Sequence, residues 1–141
     1  PAIQPPVSQS LSFPQSVILP KDVFYAKAPM QALAYLRARP MKGNMFNDYD
    51  WGGTIIWLFP EYKTFIDGRM SYWQLNGREI FSDYSTIQNI TQGWDKKIRD
   101  YDIHWFIIKT SSSLAAVLET LPTVWEKQYS DDVAAIFVRK E

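Results

Sequence analysis

The segment IHWFIIKT, residues 103–110, is the strongest constraint on how this chain folds. It is a nearly continuous apolar run of strand length. Such a strand has no polar face to offer to water, so both of its faces must be covered. The rest of the chain supplies the cover. APMQALAYLRARP places Pro29, Ala32, Leu33 and Leu36 at helical spacing, with Pro29 suited to the first turn and Pro40 to the stop. STIQNITQGWDKKIRDY puts Ile87, Ile90, Trp94, Ile98 and Tyr101 on one helical face, weakened locally by Gly93. SSSLAAVLETLP repeats the pattern with Leu114, Val117, Leu118 and Leu121, after a serine cap and before Pro122.

Between these lie shorter pieces. GNMFND and KTFIDG read as strands, and GGTIIWLFPE as a short apolar helix closed by Pro60, with a strand as the alternative. Residues 70–82 are loop-like, with Asn76-Gly77 as a turn signal. TVWEKQY and VAAIFVRK flank SDD as a terminal hairpin. This alternation predicts an α/β fold: a three-layer sandwich with a mainly parallel sheet of about four to five strands, helices on both faces and a C-terminal β-hairpin. Residues 1–26 differ, with five prolines interleaved with Ser and Gln. They read as an extended linker or strap, in which SVILP (16–20) is a short edge strand. Residues 27–141 then form a single α/β domain, and 141 residues suffice for one real core.

Composition narrows the chemistry. Fifteen basic and 15 acidic residues leave no net charge, which argues against nucleic acid as a partner, since phosphate binding needs a basic surplus. Without cysteine, thiol chemistry and disulfides are excluded. The single histidine, His104, cannot build a histidine metal cluster, makes a Ser-His-Asp triad improbable, and sits in an apolar strand as a structural residue. No cofactor is implied. Asn89-Ile90-Thr91 matches a glycosylation acceptor pattern but falls on a predicted helix. No apolar run reaches the roughly 18 residues of a membrane span, and no signal peptide is visible. The chain opens on Pro and reads as a piece of a longer protein. Its six Trp and eight Tyr are a surplus of the kind found on carbohydrate-binding and protein-binding surfaces as well as in cores.

In open α/β sheets, ligands gather beyond the carboxyl ends of the strands. Three polar clusters fall there: NDYDWGG (47–53), Asp67-Gly68-Arg69 with the following Tyr72 and Trp73, and Thr110 with Ser111 to Ser113. If their strands are neighbours, Asp50, Asp67 and Arg69 converge. Asp48 and Asp50 have the spacing to hold a hard divalent cation. The plainer alternative is that Asp50 caps the next helix and Asp48 pairs with Arg69. Gly52 and Gly53 allow close backbone packing or an anion at a helix start. Asp67 and Arg69 suit a sugar or carboxylate, or an ion pair locking two loops. Tyr72 and Trp73 are candidates for stacking on a sugar ring, or for anchoring the loop to the core.

Read together, residues 43–69, GNMFNDYDWGGTIIWLFPEYKTFIDGR, resemble the C-terminal soluble domain of bacterial polytopic membrane proteins. Those proteins are similar to GT-C class glycosyltransferases of the dolichyl-phosphate-mannose-dependent and oligosaccharyltransferase type. The features carrying the resemblance are Pro29 to Leu36, Asn47 to Tyr49, Trp51 to Gly53, Phe65 to Arg69, Tyr84, and a closing hairpin with Tyr129, Asp131 and Arg139. The resemblance implies a non-catalytic domain on the extracytoplasmic (periplasmic) face of the membrane, partnered by the membrane-embedded portion of its own polypeptide. Asp48, Asp50, Trp51, Asp67, Arg69, Tyr72 and Trp73 would border a cleft for a glycan, acceptor or lipid-linked sugar. Two rivals stand beside it: a metal-dependent transferase or hydrolase built on Asp48, Asp50 and Asp67, and a structural protein-interaction module.

Overall fold

A computed structural model describes residues 28–68, 74–75 and 78–141. The expected strap and its SVILP strand lie outside the described residues. The elements, in order, are α1 (Met30–Ala38), β1 (Asn44–Asn47), α2 (Gly52–Leu58), β2 (Gln74–Leu75), β3 (Arg78–Glu79), α3 (Ile80–Gln88), α4 (Trp94–Asp100), β4 (Ile103–Lys109), α5 (Ser113–Glu119), β5 (Trp125–Ser130) and β6 (Ala134–Arg139).

The main sheet has four strands in the order β1-β4-β6-β5. β4 is its apolar centre and is covered on both faces. Phe46, Phe106, Ile108, Ala135 and Phe137 meet Tyr84, Ile87, Ile98, Leu114 and Leu118 of α3, α4 and α5. On the opposite face Met45, Trp105, Ile107, Ala134 and Ile136 meet Leu33, Leu36 and Ile55 of α1 and α2. The register of β1 against β4 slips at Asn44/Met45, so β4 carries one extra residue, His104. That bulge changes the side-chain parity and brings Ile103 onto the face of Phe106 and Ile108.

Four expectations need correcting. The sheet is mixed rather than mainly parallel: only β1 and β4 run parallel, while β4–β6 and β6–β5 are antiparallel. The cause is the terminal hairpin, which forms as expected but inserts β6 beside β4 instead of adding to an edge. KTFIDG is no strand. The side chain of Asn47 holds it in place of a ladder: Oδ1 accepts from Phe65 N–H at 2.8 Å and Nδ2 donates to the Ile66 carbonyl at 2.9 Å. The long helix over 85–101 is two helices, α3 and α4, broken where Ile90 (φ 55°) and Gly93 (φ 87°) turn left-handed. α3 also starts earlier than expected, at Ile80, directly after the antiparallel β2–β3 pair that flanks Asn76-Gly77.

Candidate functional site

The parallel pair brings the carboxyl ends of β1 and β4 together. Beyond β1, Asp48 N–H donates to the Ile107 carbonyl at 3.0 Å, which extends the ladder by one bond. The chain then turns sharply. Asp48 Oδ1 accepts from Asp50 N–H at 3.1 Å and so caps the 3₁₀ turn Tyr49–Trp51 that leads into α2. Asp48 is thus the cap, a role that the sequence reading gave to Asp50.

The partner of both carboxylates is Lys109, the last residue of β4. Its Nζ lies 2.6 Å from Asp50 Oδ2 and 3.4 Å from Asp48 Oδ1. The Asp48 side chain is only 5% exposed, whereas Asp50 is 58% and Lys109 41% exposed. Burial holds the Asp48 carboxyl above the usual carboxylate range, against the lowering influence of the Asp50 amide and Lys109. The hydrogen bond to Asp50 holds the Lys109 ammonium above the usual lysine value, with the Asp48 charge adding to it.

Other candidates take their places around this pair. Trp51 is 1% exposed and packs in the α1/α2 core, so it cannot present a stacking face. Asp67 is buried, and its backbone lies against Gly52. A Cβ on Gly52 would collide with the Ile66 carbonyl oxygen and stand 2.8 Å from Asp67 Cα. Gly52 is therefore needed for close packing, while Gly53 has open space around it. Arg69, Tyr72 and Trp73 lie outside the described residues. Thr110 and Ser112 have structural roles: Thr110 Oγ1 donates to the Asp131 carbonyl at 2.8 Å, and Ser112 Oγ caps α5 by accepting from Ala115 N–H at 3.1 Å. His104 Nδ1 donates to the Asp102 carbonyl, 2.8 Å away, at the other end of β4.

Two residues hold the site in ways that the sequence did not show: Lys109, which was not singled out, and Asn47, which was given no role of its own. Lys109 ends the apolar run IIK, and a cation there must face whatever follows a parallel neighbour. Asn47 is fully buried and satisfies its amide entirely within the protein. Tyr84 supports the turn from below: its hydroxyl accepts from Tyr49 N–H at 3.0 Å, and its ring stacks on Phe46 at 5.2 Å. Burial pushes the Tyr84 phenol up.

Among the described residues, no group of three or more His, Asp or Glu side chains is arranged to hold a metal ion. The Lys109 ammonium sits on the two carboxylates that a divalent cation would use. Two concavities among the described residues lie elsewhere, at the amino end of β1. One of about 440 Å³ is lined by Met41, Gly43, Asn44, Met45 and Lys63. A neighbour of about 200 Å³ is lined by Leu36, Arg37, Leu58 and Phe59, and the two share Pro40, Glu61 and Tyr62.

A mixed four-stranded sheet with five helices, one parallel pair and a closing hairpin has a solved counterpart. The fold is similar to that of an oligosaccharyltransferase domain. The crystal structure of the C-terminal globular domain of oligosaccharyltransferase from Archaeoglobus fulgidus aligns with 79% of this chain and 95% of its own, with a TM-score of 0.54 at 10% identity. No family model matches the chain, and no curated protein matches it. The oligosaccharyltransferase-type architecture expected from residues 43–69 is present as a fold. The comparison does not reach the bacterial and GT-C particulars. No helix among the described residues is long and apolar enough to cross a membrane.

Proposed function

We propose that this chain is a non-catalytic extracytoplasmic domain of a membrane glycosyltransferase-like protein, and that it contributes to acceptor or glycan binding beside a membrane-embedded active site. The observation that carries the reading is the fold shared with an oligosaccharyltransferase C-terminal domain over most of both chains. The exposed edge of the carboxyl-end site supports it, because Asp50 and Lys109 offer an acceptor and a donor at the position where α/β sheets gather ligands. A sugar hydroxyl or an amide binding there would compete with the Asp50–Lys109 pair.

The test uses the full-length protein. Removing residues 28–141 should abolish transfer from a lipid-linked sugar in membranes while the remaining portion still inserts. Unchanged transfer, or a reading frame with no series of membrane spans upstream of Pro1, overturns the proposal.

One observation favours a second reading, a structural interaction module: two concavities among the described residues lie at the opposite end of β1 from the carboxylates. A glycan array probed with the 141-residue chain separates the two readings, since a module of that kind leaves the array blank. The metal-dependent reading on Asp48, Asp50 and Asp67 finds no support in the geometry, because Lys109 already bridges the first two.

A further inference from the structure

Asn89-Ile90-Thr91 matches the acceptor pattern for N-linked glycosylation, and no other asparagine of the chain does: Asn44, Asn47 and Asn76 are followed two positions on by Phe46, Tyr49 and Arg78. On the helix that the periodicity predicts over 85–101, the pattern is badly placed. Residues two apart on a helix point to nearly opposite sides, so an asparagine and a threonine at that spacing do not face one enzyme together. The structure removes that obstacle.

α3 ends at Gln88, and the residues of the pattern make the turn that leaves it. Ile90 N–H donates to the Ile87 carbonyl at 3.2 Å and Thr91 N–H to the Thr86 carbonyl at 3.1 Å. These are the paired bonds of a helix end that is followed by a left-handed residue, here Ile90 at φ 55°. The Ile90 side chain is half-buried against the cluster that holds Phe46 and Ile87, whereas Asn89 and Thr91 on either side of it are exposed. The isoleucine anchors the turn, and the two residues that a glycosylating enzyme reads both stand in solvent.

Neither of those side chains is firmly held. Asn89 Nδ2 donates to Ser85 Oγ at 3.1 Å in an exposed pair, which uses one of its two hydrogens. Thr91 Oγ1 reaches the Thr86 carbonyl only at 3.5 Å, long for a hydroxyl hydrogen bond. Presenting the pattern therefore means opening one exposed turn and leaves the hydrogen-bond ladders of α3 and α4 in place.

We propose that Asn89 is a site of N-linked glycosylation. The donor is a glycan joined through its anomeric carbon to a lipid diphosphate. In the transfer the bond from that carbon to the phosphate oxygen breaks, and a bond from the same carbon to Asn89 Nδ2 forms. The lipid diphosphate leaves with the bonding electrons, and one amide proton passes to a base of the transferase. The second hydrogen on Nδ2 remains, so the contact with Ser85 Oγ survives the modification. Here the chain is the acceptor of a covalent glycan and not its reader, so the inference is independent of glycan binding at Asp50 and Lys109.

The test is peptide mapping of the full-length protein isolated from the cells that make it. Trypsin cuts after Arg78 and Lys96, which places the pattern in peptide 79–96. Electron-transfer fragmentation, which leaves glycans attached, should locate an added sugar mass on Asn89. Asn89→Gln and Thr91→Ala should each abolish it, and Thr91→Ser, which keeps the hydroxyl, should retain it in part. Both abolishing variants change exposed side chains, so in cells that lack the transferase they should unfold in urea together with the parent chain. A bare 79–96 peptide from the native cells overturns the proposal. Sugar mass that persists in Thr91→Ala does so too, because attachment would then ignore the pattern. The 141-residue chain secreted from yeast is the control: modification there with none in the native cells would show a chance match on an accessible turn, and overturns the assignment.

Discussion

At the carboxyl end of β1, Asp48 and Asp50 share Lys109, the turn is capped from within, and the Ile66–Asp67 backbone presses on Gly52. At the amino end of the same strand, the cations Arg37, Arg39, Lys42 and Lys63 stand around the two concavities with no carboxylate partner among the described residues. One end ties most of its polar groups into contacts within the chain and leaves only the Asp50–Lys109 edge open, and the other has exposed cations without a carboxylate partner among the described residues. The difference teaches where to look for stability and where to look for recognition. Substitutions in the enclosed part of the first end should register mainly in unfolding experiments, and those of exposed side chains at either end should leave stability nearly unchanged.

The largest effect should come from Trp51→Ala, which empties a fully enclosed site next to the closed end. A loss of about 3–5 kcal/mol in urea unfolding is expected. A loss below about 1 kcal/mol would mean that this end is far looser than its packing implies. Gly52→Ala should follow at about 2–3 kcal/mol, because backbone atoms of residues 66 and 67 must shift. Gly53→Ala, one position along in open space, should be neutral or stabilising by up to about 1 kcal/mol. Equal results for the two glycines would break the contrast at its sharpest point.

Asn47→Ala should cost about 2 kcal/mol by orphaning the Phe65 amide and the Ile66 carbonyl in the interior. Lys109→Met should cost about 1–2 kcal/mol at neutral pH, discounted for the exposure of Lys109 and Asp50. Its pH dependence is the more telling readout. The raised Asp48 value means that the folded state keeps this proton to higher pH than the unfolded state does. That contribution is present below the ordinary carboxylate value and is lost as pH rises through the raised one. Lys109 limits the loss, so the deficit of Lys109→Met should grow from acid to neutral pH. The lysine's own contribution is present below the ordinary value of 10.5 and is lost as pH rises through the raised one. The smallest stability effect should be that of Lys63→Glu, an exposed residue, within about 0.5 kcal/mol.

Much of this architecture was legible in the residues because local patterns and tertiary packing agree there. β4, α1, α5 and the hairpin follow from apolar spacing and caps, and Gly52 announced a close backbone approach. KTFIDG has strand-like spacing, yet the contact that decides its form is one amide on Asn47, and periodicity carries no information about such a bond. The break between α3 and α4 depends on Ile90 adopting a left-handed conformation that β-branched residues rarely take. At the site, the position of Asp48 and Asp50 after β1 was readable from the strand before them, whereas Asp67 was placed at the end of a strand that does not form, and the partner of the first two was not readable. Lys109 enters only once β1 and β4 are known to be adjacent and parallel. Trp51 shows the limit of reading aromatics from loops: the same residue type serves stacking and core, and burial alone decides.

The Asn47 clamp has a further consequence for how copies of this chain behave in solution. β1 is an outer strand, and outer strands are templates on which other chains can add and grow into aggregates. By fastening Phe65 and Ile66 beside the carboxyl end of β1, one asparagine sets irregular backbone where an added strand would have to continue. The opposite outer strand, β5, is guarded differently, by exposed Glu126, Lys127 and Gln128 and by a register shift between Lys127 and Tyr129. Among the described residues, both outer strands therefore carry features that hinder self-association.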